Sequence, residues 1–209
     1  SLHHMNDLTE RFGQIDIYLF DQLLRGRIVP GDKIFDAGCG FGRNAVYFLQ
    51  TGFKVFGADQ DPDAITAMRQ LAAKHAPQLP PENFRNETLE ALSFPDAFAD
   101  IVISSAVLHF ARDDAQFDAM LRGSWRTLRS GGVFVVRLAS SIGLERRMYH
   151  LNGRRYRLPD GTERYLVDEQ LLMETTHSLG GQLLDPLKTT VVQDQRCMTT
   201  WVVRKGGSK

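Results

Sequence analysis

Segments with helical periodicity alternate with short apolar runs along most of the chain. Apolar side chains recur at helical spacing in four segments: residues 6–24, 43–52, 61–76 and 114–128. Runs of strand length predict β-strands in five places: residues 33–38, 53–59, 83–88, 99–106 and 133–139. Gly13 interrupts the first helical segment, so we expect a break there. This alternation predicts a parallel sheet covered by helices on both faces.

The last third of the chain has a different pattern. Residues 154–167 favour a β-hairpin that turns at Pro159–Gly161, within an insertion or lid over residues 146–167. A helix is predicted from an N-cap at Asp168 to about Ser178. Two β-type runs, 183–192 and 197–204, then lie close enough in sequence to pair antiparallel. We expect one domain over residues 1–209, with residues 1–4 (Ser-Leu-His-His) a remnant of cloning.

Composition narrows the class of protein. Apolar residues make up 43% and charged residues 24% of the 209 residues, as in globular proteins. The 25 basic and 25 acidic residues cancel, so overall charge does not favour nucleic acid or anionic lipid. Cys39 and Cys197 cannot form a disulfide framework or a metal cluster, and we expect no metal. Without a membrane span or signal peptide, the expected location is the cytoplasm.

A glycine-rich loop carries the clearest chemical signal. In the stretch Phe-Asp-Ala-Gly-Cys-Gly-Phe-Gly-Arg-Asn, residues 35–44, three glycines follow Asp36 at alternate positions. A dinucleotide fingerprint requires a third glycine where Arg43 stands, and a phosphate-binding P-loop requires a lysine and a hydroxyl residue. An acid beside the loop repels pyrophosphate and favours a ligand with an amino group. S-adenosylmethionine has an amino group, a sulfonium and no phosphate.

These motifs resemble the class I S-adenosylmethionine-dependent methyltransferases. The resemblance rests on residues 36–42, on Asp59 within Phe-Gly-Ala-Asp-Gln-Asp, and on residues 92–110, and it extends over residues 33–138. Residues 38–44 and 47–55 are most similar to the small bacterial tellurite-resistance type. The resemblance implies a Rossmann-like, doubly wound, mostly parallel sheet of seven strands, with an antiparallel last strand and a hairpin insertion after strand 5. It also implies methyl transfer from S-adenosylmethionine, which yields S-adenosylhomocysteine.

The resemblance also implies which residues bind the cofactor. Asp59 corresponds to the acid that accepts hydrogen bonds from the ribose hydroxyls, and Asp36 would position the methionine amino group. Arg43 either pairs with the methionine carboxylate or lies in solvent. Adenine is contacted either by Thr88, the aligned residue, or by Glu87 after a one-residue shift. The full predicted cofactor set is Asp36, Gly38, Cys39, Gly40, Arg43, Asn44, Asp59, Gln60, Thr88, Leu89 and Ser105.

The acceptor side of the site is less defined. His109 is the candidate general base, with a rim histidine as the alternative. The Asn/Asp-Pro-Pro-Tyr/Phe motif of amino-methylating enzymes is absent after the fourth strand, and neither cysteine is placed for cytosine C5 chemistry, so we expect a small-molecule acceptor. Candidate acceptor contacts are Arg137, Tyr149, Tyr156 and Tyr165.

Three alternatives to this function stay open. The first is a protein that binds S-adenosylmethionine without transferring its methyl group. The second is an RNA methyltransferase that uses the arginine- and tyrosine-rich hairpin. The third is an oxidoreductase that binds NAD or a nucleotide sugar. Acidic residues within the hairpin count against RNA. We expect a monomer or a homodimer.

Overall fold

The computed structural model describes residues 2–207, with side chains from Asp7 onward. The predicted remnant at residues 1–4 therefore lies largely outside the described side chains. The helices are α1 (Leu2–Phe12), α2 (Ile17–Leu24), α3 (Val46–Gln50), α4 (Pro62–His75), α5 (Asp114–Arg126) and α6 (Glu169–Ser178). The strands are β1 (Lys33–Ala37), β2 (Lys54–Asp59), β3 (Phe84–Asn86), β4 (Ala99–Ser105), β5 (Leu128–Ser140), β6 (Tyr149–Asn152), β7 (Arg155–Arg157), β8 (Glu163–Tyr165), β9 (Gly181–Leu183), β10 (Lys188–Val192) and β11 (Arg196–Lys205).

The main sheet has the order β10-β11-β5-β4-β1-β2-β3, with β9 paired to the other end of β11. Pairs among β1 to β5 are parallel, whereas β11 pairs antiparallel with β5, β9 and β10. The strand order reverses after β3, because β4 returns to the other side of β1. This confirms the predicted Rossmann-like, mostly parallel fold with a reversed last strand.

Helices cover both faces of the sheet, as the sequence pattern predicts. Neighbouring residues of β1 point to opposite faces: Phe35 belongs to one apolar core and Ile34 to the other. Both side chains are fully buried. The runs read as continuously apolar because a parallel sheet is buried on both sides.

Aspartates fix the starts of four helices. Asp16, Asp61, Asp113 and Asp168 each accept a hydrogen bond from a backbone N–H in the first turn of α2, α4, α5 and α6, respectively. Such caps typically stabilise a helix by about 1 kcal/mol. Gly13, at φ +59°, separates α1 from α2 at the predicted break.

Several boundaries differ from the sequence prediction. Helix α3 begins at Val46 and not at Arg43, because residues 41–45 form turns. Strand β5 begins at Leu128, where we predicted the end of a helix, and its pairing with β4 contains a register shift. The run 183–192 is divided into β9 and β10 around Asp185 and Pro186, so two short strands share the edge position beside β11.

The insertion after β5 forms a three-stranded antiparallel sheet, β6-β7-β8. The predicted hairpin corresponds to β7 and β8, and the sequence pattern missed β6. Leu158 and Leu166 pack this small sheet against Ala139 of β5 and Met198 of β11. The Arg155 side chain donates a hydrogen bond to the Ala111 carbonyl at 3.1 Å. These contacts hold the insertion at the edge of the main sheet where β1, β2 and β4 end.

Candidate functional site

A cleft of about 380 Å³ opens at the carboxyl ends of the central strands. Parallel α/β sheets bind ligands at this edge, near the reversal of strand order, and the volume is in the range of small-molecule sites. All eleven residues that the resemblance assigns to the cofactor line this one cleft: Asp36, Gly38, Cys39, Gly40, Arg43, Asn44, Asp59, Gln60, Thr88, Leu89 and Ser105. The structure therefore brings the whole predicted set together, and its role in binding stays a prediction.

The glycine loop is anchored to β2 through its own backbone donors. The N–H groups of Gly38 and Cys39 both donate to the Ala58 carbonyl, at 2.8 and 2.9 Å. Gly40 N–H donates to Asp59 Oδ2 at 2.9 Å. Because the protein itself uses these three donors, the loop cannot offer them to a phosphate in the way a P-loop does.

Gly38 is required by both conformation and space. Its φ of +90° lies in the region that favours glycine, and an added Cβ would lie 2.4 Å from Cγ2 of Val107. The loop thus passes directly beneath the segment that follows β4.

Asp59 holds the loop and the start of the next helix at the same time. One carboxylate oxygen accepts from Gly40 N–H and the other from Asp61 N–H, both at 2.9 Å. Each carboxylate oxygen has a further acceptor site. The partly exposed carboxylate therefore keeps capacity for two hydroxyl donors from the cleft.

Asp36 is a buried acid at the floor of the cleft. The residue is 4% exposed, and its carboxylate has no hydrogen-bond partner within the described part of the chain. Burial, with a further contribution from the charge of Asp59, raises the pKa of Asp36 to about 7. A positively charged group placed against it would compensate for the lost solvation.

The cleft as a whole carries excess negative charge. Four carboxylates line it: Asp36, Asp59, Glu87 and Glu90. Arg43 is the one basic side chain among the lining residues in the described part of the chain, and its Nε donates to the Gln14 carbonyl at 2.7 Å. This balance favours a cationic ligand and opposes a polyphosphate.

Arg43 and Asn44 do not begin a helix as we predicted. Asn44 is buried, and its Oδ1 accepts from Asp16 N–H at 2.9 Å, while Arg43 reaches Gln14. Both side chains therefore tie the loop to the segment before α2. Helix α3 starts later, at Val46, and has only five residues.

The far side of the cleft contains the candidates for an adenine contact. Gln60 and Thr88 are exposed to the cleft, and Leu89 is buried. Glu87 also lines the cleft, but one of its oxygens already accepts from Ser93 N–H at 3.1 Å. Because its other oxygen has no partner among the described residues, both Thr88 and Glu87 stay candidates for the polar partner. Ser105, at the end of β4, lies opposite.

His109 lies outside the set of side chains that line the cleft. It is 4% exposed, and its Nδ1 accepts a hydrogen bond from Ala139 N–H at 3.0 Å. Burial, followed by the charges of Arg164 and Arg137, lowers the pKa of His109 to about 3. Nε2 carries the single ring proton, since Nδ1 is the acceptor. A buried neutral imidazole of this kind is a poor general base at neutral pH, so the geometry favours the structural alternative.

Arg137 lines a small cavity directly behind the main cleft. Asn44 and Ser105 border both spaces. The Arg137 Nε lies 3.2 Å from Asp16 Oδ2, and its side chain is 25% exposed. Arg137 is thus adjacent to the predicted cofactor position.

The three candidate tyrosines of the insertion do not line the cleft. Tyr149 is 66% exposed on β6, and Tyr156 contacts the local core of the small sheet. Tyr165 is 2% exposed, and its hydroxyl donates to Asp114 at 2.6 Å. Their placement gives no support to a direct contact with an acceptor in this cleft.

Sequence reasoning missed part of the cleft wall. The additional lining residues are Phe41, Glu90, Ala106, Val107, Phe110, Gln116 and Met120. Val107 and Phe110 lie in the segment after β4 that already carried the resemblance, so that signal was present. Met120 lies in the apolar stripe of α5, where a lining residue cannot be distinguished from a core residue.

Neither a metal-binding cluster nor a membrane-spanning helix is found among the described residues. No group of three or more His, Cys, Asp or Glu side chains among them could hold a metal ion. None of their helices has the length and apolar character needed to cross a membrane.

Comparison with known proteins supports the same family. Residues 35–136 match the family model of the methyltransferase domain. An uncharacterised methyltransferase of Synechocystis is 31% identical over 109 residues, which is 52% of this chain and 48% of that protein. The chain thus spans about half of the length of that curated relative.

Solved structures share the fold over most of the chain. A S-adenosylmethionine-dependent methyltransferase of Methanosarcina mazei has a TM-score of 0.70 at 20% identity, covering 89% of this chain and 98% of its own. A 1,6-didemethyltoxoflavin-N1-methyltransferase of Burkholderia thailandensis, with bound 1,6-didemethyltoxoflavin and S-adenosylhomocysteine, has a TM-score of 0.69 at 20% identity, covering 98% and 84%. At this identity the likeness establishes the fold and not the substrate. Together with the family model that residues 35–136 match, these likenesses make the chain similar to the class I S-adenosylmethionine-dependent methyltransferases.

Proposed function

We propose that this chain binds S-adenosylmethionine in the acidic cleft and transfers its methyl group to a small-molecule acceptor. The observation that carries the proposal is the charge and donor pattern of the cleft. Four carboxylates face it, against one guanidinium, and the glycine loop has used its donors internally. A phosphate-free, positively charged nucleoside suits this pattern, whereas NAD and nucleotide sugars do not.

Residues of the cleft would bind the ribose, the methionine ammonium and the adenine of the cofactor. Asp59 would accept from the ribose hydroxyls, because its carboxylate keeps acceptor sites beyond its two backbone partners. Asp36 would face the methionine ammonium, since it is buried without a hydrogen-bond partner in the described residues. Thr88 and Leu89 would contact the adenine, and Ser105 would lie near the reacting end.

The chemistry does not require a histidine base. When bound, S-adenosylmethionine supplies an electrophilic methyl group. The contribution of the protein would be to orient the acceptor and exclude water, and such positioning is worth up to about 7–11 kcal/mol in favourable cases. The burial of His109 agrees with catalysis by positioning alone, because no histidine among the described residues lines the cleft.

A small molecule is favoured over RNA as the acceptor. Several arginines of the insertion are already paired with carboxylates: Arg147 with Asp194, Arg154 with Asp168, and Arg157 with Glu163. These pairs reduce the positive charge that a nucleic acid would require. A pure binding role without transfer would leave the same cleft, so activity must be measured directly.

Two measurements test the proposal in sequence. Calorimetric titration should show S-adenosylhomocysteine binding with one site per chain, and weaker or no binding of NADH. An acceptor screen should then detect S-adenosylhomocysteine release above the no-acceptor background. Tight NADH binding without a response to S-adenosylhomocysteine would refute the cofactor assignment. Binding with no release across broad acceptor classes would favour the binding-protein alternative.

A further inference from the structure

Charges are segregated along the ligand edge of the main sheet. The acidic side chains of the cleft lie at the ends of β1 and β2 and just after β3. A basic group lies near the other half of this edge, and we define it as Arg43, Arg137, Arg164 and Arg196. Arg137 lies on β5, Arg164 on β8 and Arg196 at the start of β11, which pairs with the end of β5 that follows Arg137. Arg43 lines the cleft, which shares Asn44 and Ser105 with the small cavity that Arg137 lines.

Arg137 is the central member of this basic group. Its Nε forms a salt bridge with Asp16 Oδ2 at 3.2 Å, while the other oxygen, Oδ1, accepts from the N–H groups of Tyr18 and Leu19. The two Nη groups have no hydrogen-bond partner among the described residues, although the side chain is only 25% exposed. These donors are therefore open to an acceptor that a ligand supplies.

The surrounding arginines, unlike Arg137, have no carboxylate partner among the described residues. Neither Arg43, Arg164 nor Arg196 forms a salt bridge within residues 7–207. Asp160 is the further acid that Arg196 and Arg164 influence, and its Oδ1 already accepts from the Thr162 hydroxyl and N–H.

The basic group also reaches the wall of the cleft. The Arg164 guanidinium lies over the Phe110 ring, 4.7 Å from its centre, and Phe110 lines the cleft. Arg43 lines the cleft directly, and Arg137 lies behind Asn44 and Ser105. Positive charge therefore collects on the side of the cleft away from Asp59 and Glu87.

We propose that the acceptor is a small anion whose carboxylate binds Arg137, within the field of Arg43, Arg164 and Arg196. This inference rests on the proposed function, since it assigns the acceptor side of the same site. An arginine guanidinium offers two parallel N–H donors to a carboxylate, which neutral analogues cannot match. The positive cofactor would then lie in the cleft, and the carboxylate of the acceptor would lie beside it at Arg137.

Binding to the S-adenosylhomocysteine complex tests this proposal without requiring turnover. Simple aliphatic and aromatic carboxylates, each paired with its carboxamide, are titrated into the complex by calorimetry. We expect at least one carboxylate to bind and its carboxamide to bind at least about tenfold more weakly. Arg137→Gln should weaken that carboxylate by at least about tenfold, and Arg137→Lys by less, with affinity for S-adenosylhomocysteine kept. Arg204→Gln, at the opposite end of β11, is the matched control and should change neither affinity.

The outcomes separate this inference from the proposed function. Failure of the wild-type chain to bind S-adenosylhomocysteine would overturn the cofactor assignment and this inference with it. Normal S-adenosylhomocysteine binding, with no carboxylate preferred over its carboxamide, would overturn the inference alone. Equal carboxylate affinity in the wild type and Arg137→Gln would do the same. If Arg137→Gln fails to fold by circular dichroism, Arg164→Gln replaces it, and unchanged carboxylate affinity in that variant contradicts the proposed basic group.

Discussion

Cofactor affinity should depend on pH through Asp36. The pKa of this buried acid is about 7, against an ordinary value of 3.8. If its carboxylate faces the ligand ammonium, binding requires the charged form. Below about pH 7 the free protein holds a proton there, and each further pH unit should weaken S-adenosylhomocysteine binding by up to about tenfold. Above about pH 8 this dependence should disappear.

The same group affects the stability of the ligand-free chain. Burial disfavours the charged form of the Asp36 carboxyl, so its ionisation lowers the stability of the folded state. This penalty is absent below the unfolded pKa, grows as the pH rises above it, and is complete once the pH has passed about 7. The difference between 3.8 and about 7 corresponds to an upper limit of about 4 kcal/mol. Asp36→Asn removes this penalty, so at about pH 8 the ligand-free variant should melt at a higher temperature than the wild type.

Calorimetric titration at pH values from about 5 to about 8 measures the effect, and Asp36→Asn is the matched control, because it is nearly isosteric and does not titrate. The variant should bind more weakly at about pH 8 and show a flatter pH profile, which also reports any titration of the ligand itself. The same slope in the wild type and the variant would refute the role of Asp36. A flat wild-type profile would contradict the charge pairing as well.

Three further substitutions test the assignments of individual side chains. Asp59→Ala should weaken S-adenosylhomocysteine binding at least tenfold, about 1.4 kcal/mol or more by calorimetry, because it removes the predicted ribose acceptor and the partner of Gly40 N–H. His109→Ala should lower the free energy of unfolding by about 1–3 kcal/mol in urea, since Ala139 N–H loses its buried acceptor, while His109→Asn should restore part of it. Tyr165→Phe should cost about 1 kcal/mol of stability and leave cofactor affinity unchanged.

Each of these three substitutions has an outcome that would contradict its assignment, and Asp59→Ala also has a matched control. Asp118→Ala, an exposed acid on α5, should leave cofactor affinity unchanged and serves as the control for Asp59→Ala. Unchanged affinity in Asp59→Ala would remove that residue from the site. If the His109→Ala variant is as stable as the wild type but has no turnover, His109 acts as a general base and the structural assignment is wrong. Loss of cofactor affinity in Tyr165→Phe would show that the insertion reaches the cleft.

Local signals in the sequence were sufficient for much of the fold. Apolar runs predicted β1, β2 and β4, and the aspartate before the last helical segment predicted the cap at Asp168. Asp36 and Asp59 follow from strand ends, because the carboxyl ends of parallel strands meet at one edge. The resemblance then supplied the eleven residues that the structure brings to one cleft.

Features that depend on contacts distant in sequence were not predictable. The turn at residues 41–45 replaces a helical start because Arg43 and Asn44 bind Gln14 and Asp16, about thirty residues earlier. The burial of His109 depends on Ala139, thirty residues later, and the spacing of neighbouring residues carries no trace of that contact.

One short strand, β6, was also missed, for a different reason. It has only four residues, which is too few for a periodic pattern to separate it from a loop. The division of the edge run into β9 and β10 was marked only by Asp185 and Pro186. Strand β6 has no such marker, and its pairing with β7 becomes visible only in the folded chain.

A crystal structure of the chain with S-adenosylhomocysteine would show directly whether the acidic cleft binds the cofactor. We expect the ligand in the cleft between the glycine loop and β4, with its ribose hydroxyls within hydrogen-bond distance of the Asp59 carboxylate and its ammonium facing Asp36. A ligand that occupies the cleft with its ribose away from Asp59, or that binds elsewhere on the chain, would contradict this expectation.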